Sequence, residues 1–149
     1  MKLKPRDVMQ KVILDTNVVV SALIQKSYPF LIIDELFIEN KFQLCISEDL
    51  LIEYFDVLSR PKFNQFPDFA SKAKEMLTEI VSKARFYYPT VKLDLLSDKD
   101  DNMILELANE SKAHYIITGN TSDFTMSEFQ NTKIVSPKDY WELYNPNNF

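Results

Sequence analysis

The chain has 149 residues, of which 46% are hydrophobic, 13% aromatic and 26% charged, with a net charge of −5. This is the composition of one ordinary globular domain, expected to span residues 1–149, and it excludes a disordered chain. No apolar run reaches the roughly 20 residues of a membrane span, the first residues lack the apolar stretch of a secretory signal, and a cytoplasmic location is expected.

In chain order, Lys11 to Leu14 (KVIL) is a short apolar run that predicts a buried strand. It stops at Asp15-Thr16-Asn17, after which Val18 to Ile24 continues as a helix. Tyr28 to Glu39 has helical apolar spacing with Pro29 near its start. Phe42 to Ile46 predicts a second strand, and Ser47 then offers an N-cap, with Glu48 and Asp49 in the first turn, for a helix reaching about Ser59. Arg60-Pro61 ends that helix. Pro67 to Arg85 is amphipathic, with Phe69, Ala73, Met76, Leu77, Ile80, Val81 and Ala84 on one side. Phe86 to Val91 predicts a third strand, confined to an edge or strand end by Pro89. Ser97 to Asp101 is a polar helix start, and Asn102 to Ser111 is its helix. His114 to Thr118 and Lys133 to Val135 predict two more strands, and Pro137 to Tyr144 a last helical turn or two. Strands alternating with helices imply a mostly parallel sheet covered on both faces, with ligands gathering at the carboxyl ends of its strands.

The scarce residues narrow the chemistry. One Cys, Cys45, forbids an internal disulfide and a cysteine-based zinc site, and fits a reducing compartment. One His, His114, removes multi-histidine metal sites. One Gly, Gly119, excludes the glycine-rich loops that cradle nucleotide phosphates. Plentiful carboxylate remains, 22 Asp and Glu against 17 Lys and Arg.

Four acidic signals stand out, each with an ordinary structural reading beside it. Asp15 sits at the carboxyl end of the first strand, where Asp15 or Thr16 also serves as a helix cap. Glu53 lies midway along the second main helix, beside Leu50 and Val57 at the border of the apolar arc, where a solvated edge residue is the plainer reading. Asp101 shares a helical stripe with Ile104, Leu105 and Ala108, although Asp98 as N-cap with Asp101 three residues on also resembles a capping box. Thr118 to Phe124 (TGNTSDF) is a polar cluster after a strand, and equally an ordinary turn. Together they bring several acids towards one end of a sheet. Buried like charges are costly unless a cation neutralises them, and an all-oxygen set suits Mg²⁺ or Mn²⁺. Such a cation binds phosphate oxygens and activates water, which points to phosphodiester hydrolysis.

Four segments, ILDTNVVVSAL (13–23), SEDLLIEYFDVLSRPKF (47–63), SDKDDNMILELA (97–108) and IITGNTSDF (116–124), resemble in order and spacing the PIN-domain ribonucleases, especially their VapC-like toxin branch. The resemblance implies a three-layer α/β/α fold with a central, mostly parallel sheet of about five strands. It implies an acidic pocket for Mg²⁺ or Mn²⁺ and endonuclease activity on RNA, leaving a 5′-phosphate and a 3′-hydroxyl. Asp15, Glu53 and Asp101 match the first three acids. The fourth falls at Asn120 or Asp123, and Asp123 is the remaining acid, since many relatives carry Asp where Asn120 stands. Asn17, Ser21 and Thr118 match polar positions that support the site or contact phosphate, while Asp98 and Asp100 match flanking acids. The resemblance further implies a small antitoxin partner and a homodimer, for which the large apolar residues of Tyr28 to Phe42 and Phe55 to Phe69 offer either an interface or simply core.

Arg60 and Lys62 follow the Glu53 helix and offer contacts to RNA phosphates, and a second basic cluster comprises Lys2, Lys4, Arg6 and Lys11. Tyr87 and Tyr88 are read as core residues before base-stacking ones. Two rival readings remain open at this point. Asp15-Thr16-Asn17 resembles the nucleophile loop of haloacid-dehalogenase-like phosphatases, but that family has a second Asp where Asn17 stands. Asn120 also admits a non-catalytic PIN-like domain with an incomplete metal site that binds only RNA or protein.

Overall fold

The structure, a computed structural model, describes residues 9–144; Lys2, Lys4 and Arg6 lie outside them. Strand β1 is Gln10–Leu14, β2 is Phe42–Ser47 and β4 is Tyr115–Ile117. Successive strand residues face opposite sides of a sheet. Val12, Ile13 and Leu14 are nonetheless all buried, as are Leu44, Cys45 and Ile46, so both faces of the sheet are covered. Strand β3 is Arg85–Tyr87, β5 is Glu128–Phe129 and β6 is Thr132–Val135, and the order across the sheet is β3-β2-β1-β4-β6-β5. Pairs β1–β2, β1–β4, β2–β3 and β4–β6 are parallel, and β5–β6 is antiparallel.

Parallel neighbours require crossovers; helices supply them except between β4 and β6, where the link is the short 3₁₀ turn Thr121–Asp123 and β5. Helix α1 is Thr16–Ile24, α2 is Tyr28–Leu31, α3 is Glu48–Leu58, α4 is Phe69–Lys83, α5 is Lys99–Ser111 and α6 is Pro137–Tyr144. Ser47 caps α3 by accepting the Leu50 N–H at 3.2 Å. Helix α5 packs across β1, β2 and β3, while α4 packs against β2 and against α1 and α3. The result is the expected mixed α/β architecture around a mostly parallel sheet. No single helix among the described residues is long and apolar enough to cross a membrane; the apolar stretch of α1 and its successor bends by 98°.

Several elements differ from the sequence pattern. The sheet has six strands instead of about five, because Glu128–Phe129 forms a short hairpin with β6 through Gln130, whose φ is 53°. Two residues are too few to display a period. Strand β3 stops at Tyr87 instead of reaching Val91, as Pro89 has no N–H for a ladder and restricts Tyr88 before it. Tyr88 is accordingly exposed, not core. The Tyr28–Glu39 helix changes after Leu31 into a π-helical turn, Ile32–Phe37, with Ile38 N–H bonded to Ile33 C=O at 2.9 Å. That wider turn lets Ile32, Ile33, Leu36 and Phe37 all bury. On α4, Phe69, Ala73, Leu77 and Ile80 are buried as expected, whereas Val81 is exposed.

Candidate active site

The chain leaves β1 towards β2 on one side, while β4 pairs with β1 on the other. In open α/β sheets, such a switch of direction opens a crevice beyond the carboxyl ends of the strands. Asp15 and Thr118 stand there, immediately after β1 and β4. The Asp15 N–H extends the ladder to Ile117 C=O at 2.9 Å. The buried Asp15 carboxylate accepts three bonds, from Thr16 N–H at 2.8 Å, the Thr118 hydroxyl at 2.8 Å and the Asn17 side-chain amide at 3.2 Å. The helix-cap reading of Asp15 thus holds, and the capping carboxylate is also the one that faces Thr118 at the end of β4.

Asn17 ties the two strand ends together. Its Nδ2 donates to Asp15, and its Oδ1 accepts the Gly119 N–H at 2.8 Å. A Cβ placed on Gly119 would stand 3.1 Å from that Oδ1, so the missing side chain permits the close approach. The Asn120 N–H bonds the Thr118 hydroxyl oxygen at 3.1 Å. Ser21, one helical turn beyond Asn17, has no bond to the acids among the described residues.

Glu53 reaches the same crevice from α3, where it accepts the Thr16 hydroxyl proton. Its carboxyl is raised to about 7, chiefly by burial, with Asp100 and Asp15 adding to the rise and the Thr16 bond opposing it. Asp101, at the start of α5, is raised to about 6 by burial and by the charges of Asp15, Asp98, Asp123 and Asp100. Burial also raises Asp15, against the bonds from Thr118, Thr16 and Asn17, with Asp123 adding to the rise. Asp123, in the short 3₁₀ turn Thr121–Asp123, thus acts on both Asp15 and Asp101. Asp15, Glu53, Asp100, Asp101 and Asp123 share one negative field.

They do not yet form a closed cage. Among the described residues, no three Asp, Glu, His or Cys side chains converge closely enough to hold a metal ion in this conformation. Asp15 and Glu53 are turned instead to neutral donors, Thr118, Asn17 and Thr16. The donor set is all oxygen, which suits a hard divalent cation.

A cleft of about 710 Å³ between α3 and α5 opens beside Glu53 and Asp100. Arg60 lines it while paired with Asp56 at 3.3 Å. Lys62 is absent from that lining and stands over the Phe63 ring at 5.2 Å.

A family model described as the PIN domain matches residues 11–122. The chain belongs to the PIN-domain family. An uncharacterized protein of Methanocaldococcus jannaschii is 31% identical over 144 residues, covering 90% of this chain and 91% of that protein. The crystal structure of VapBC2 from Rickettsia felis, bound to a DNA fragment from its promoter, contains a chain of similar fold. The TM-score is 0.58 at 16% identity, covering 85% of this chain and 98% of the other. The family match displaces the haloacid-dehalogenase-like reading of Asp15-Thr16-Asn17. Within the PIN domain, the matched segment spans Asp15, Glu53 and Asp101 and stops one residue before Asp123.

Two residues that meet the candidate acids carry little signal in the sequence. Thr16 appeared only as an alternative cap, yet its hydroxyl joins Asp15's helix to Glu53. Asp100 appeared only as a flanking acid, yet it acts directly on Glu53. A hydroxyl residue next to a strand-end acid was the available signal for the first; for the second there was none beyond the acidic run itself.

Proposed function

We propose that this PIN-domain protein is an endoribonuclease that hydrolyses RNA phosphodiester bonds with Mg²⁺ or Mn²⁺, and that it is the toxin of a toxin–antitoxin pair. The observation that carries the proposal is geometric: Asp15 leaves β1 at the switch point of the sheet, is held there by Thr118 at the end of β4, and is joined through Thr16 to Glu53 on α3. A negative hollow of this kind is relieved by protonation at low pH and, near neutral pH, by a divalent cation. Asp15, Glu53, Asp101 and Asp123 would hold the cation, with Asn120 beside them as a neutral amide. The cation, when bound, supplies Lewis-acid polarisation of a phosphate oxygen and lowers the pKa of water.

The protein's own groups supply orientation and proton handling. Asp15 is pre-set by Thr16, Asn17 and Thr118, so its carboxylate needs little rearrangement. Glu53, joined to Thr16 beside Asp15, is placed to orient the attacking water. Asn17, Ser21 and Thr118 line the phosphate side, and Arg60, with Lys62 farther out, meets flanking RNA phosphates. The overall acidity of the chain argues for a small RNA footprint.

The likeness to VapBC2 supports a small antitoxin as partner. Of the two apolar stretches, Ile32, Ile33, Leu36, Phe37, Phe42, Phe63 and Phe69 are core, and exposed Tyr28 and Phe55 support a homodimer contact. A single cytoplasmic domain over residues 1–149 completes the proposal. The test is cleavage of an RNA pool by the purified, partner-free protein. Cutting is expected in Mg²⁺ or Mn²⁺ and not in chelator, and Asp15→Asn and Asp101→Asn should each abolish it while the circular dichroism spectrum stays native. No cutting with either metal would leave the non-catalytic binding module as the better reading.

A further inference from the structure

We propose that Asn102 and Glu106 are positioning residues, a polar clamp that aims the acid-bearing first turn of α5 at Asp15 and Glu53. This rests on the nuclease reading above. Residues 88–98, between β3 and α5, contain no helix or strand. They are mostly exposed, and Leu96 is their buried anchor. Their backbone is held by two side chains one turn apart on α5. Glu106 Oε2 accepts the Leu93 N–H at 2.8 Å. Asn102 Oδ1 accepts the N–H groups of Leu95 at 3.0 Å and Leu96 at 2.8 Å, and Asn102 Nδ2 donates to Leu96 C=O at 2.7 Å.

Both side chains are buried, Asn102 at 4% and Glu106 at 8% exposure. If this face of α5 served only for packing, apolar residues would suffice, as Ile104, Leu105 and Ala108 show nearby. Burying an amide and a carboxylate is costly unless they meet directed partners. Here the partners are main-chain groups of one segment, so the pair fixes where that segment lies. The ion pair of Glu106 with Lys92 does not explain its burial, since it spans 3.9 Å and Lys92 is 81% exposed.

The clamped segment leads straight into the acids. Asp98 follows Leu96 by two residues and caps α5 by accepting the Asp100 N–H at 2.8 Å, while Asn102 N–H closes the turn onto Asp98 C=O at 3.1 Å. Asp100 and Asp101 therefore sit on a turn tied at one end to the segment that Asn102 grips. Releasing that segment lets the turn fray. Small displacements of reacting groups cost rate out of proportion to their size.

The test compares Glu106→Ala with Glu106→Gln, which keeps an acceptor for Leu93 N–H, on RNA with Mn²⁺, together with amide hydrogen exchange of the free protein. Glu106→Ala is expected to lose about tenfold in kcat with KM within about twofold, and Glu106→Gln to stay within about twofold of the parent in both. The Leu93, Asp100 and Asn102 amides should exchange about tenfold faster in Glu106→Ala and not in Glu106→Gln. Asn102→Ala should do the same if it folds, and the Glu106 pair decides the matter if it does not. An unchanged kcat in Glu106→Ala, or equal loss in both Glu106 variants, overturns the proposal. Should the parent protein cut no RNA, the nuclease reading fails separately. The clamp is then judged on exchange alone: faster Asp100 and Asn102 amides in Glu106→Ala sustain it, and unchanged ones overturn it.

Discussion

At the scale of single residues, the site depends on which neutral groups restrain which carboxylates. Gly119 is the clearest case, because any Cβ there meets Asn17 Oδ1 at 3.1 Å. Gly119→Ala should push Asn17 away from Asp15, lowering stability by about 1 kcal/mol for the loosened bonds and reducing RNA cleavage. Thermal melting and cleavage of the same sample check this. The carboxylates themselves set a pH dependence. Glu53 rises from 4.5 to about 7 and Asp101 from 3.8 to about 6, so the folded chain holds these protons more tightly than the unfolded chain. Their stabilising contribution is complete below about 4 and is lost as pH rises through 6 to 7. In chelator, the melting temperature should therefore fall between pH 5 and pH 8, and Glu53→Gln should flatten that slope; a parent curve that rises over this range contradicts the assignment. With Mn²⁺ the trend should reverse, because ligands must be ionised to bind it. The place of Asp15 at the carboxyl end of a strand was legible because KVIL delivers it there. The link from Thr16 to Glu53 was not, because 37 residues separate them and no local pattern records the contact.

At the scale of elements, α3 is fixed by a residue next to Glu53. Tyr54 is fully buried, and its hydroxyl donates to Leu14 C=O at 2.5 Å, the last residue of β1. This bond sets the height of α3 against β1 and so brings Glu53 to Thr16. Tyr54→Phe leaves a buried carbonyl unsatisfied and should cost about 1–3 kcal/mol in urea unfolding, with a loss of cleavage as Glu53 drifts. The helices with long apolar stripes and clear caps, α3, α4 and α5, were readable from spacing alone. The π-helical turn and strand β5 were not. Their hydrogen bonding is chosen by what their side chains pack against, and neither carries a distinctive period.

At the scale of the whole molecule, the crevice is made by the register of β1 with β4, in which Leu14 lies beside Ile117. Asp15 and Thr118 follow directly, and their N–H groups bond Ile117 C=O and Val135 C=O. Both amides should exchange only through global unfolding, among the slowest in the protein, whereas Lys92 and Asp94 in the irregular segment should exchange through local opening. Native-state hydrogen exchange separates the two classes; fast exchange at Asp15 would detach the site from the core. The same core makes the site sensitive to remote packing. Leu105→Ala, at a fully buried position on α5, should cost about 2–5 kcal/mol in denaturant unfolding.

The amino-acid sequence alone determined the alternation of strands and helices, the restriction of chemistry to oxygen donors, and the positions of the strand-end acids. These follow from composition and from periods a few residues long, which each segment carries in itself. Tertiary structure alone decided that β4 lies beside β1, that Asp123 bears on Asp15 and Asp101, that Asp100 bears on Glu53, and that Asn102 and Glu106 grip the preceding segment. Each of these is a meeting of distant or irregular parts of the chain. Such meetings are set by which faces of the sheet and helices bury together, a property that no single segment contains.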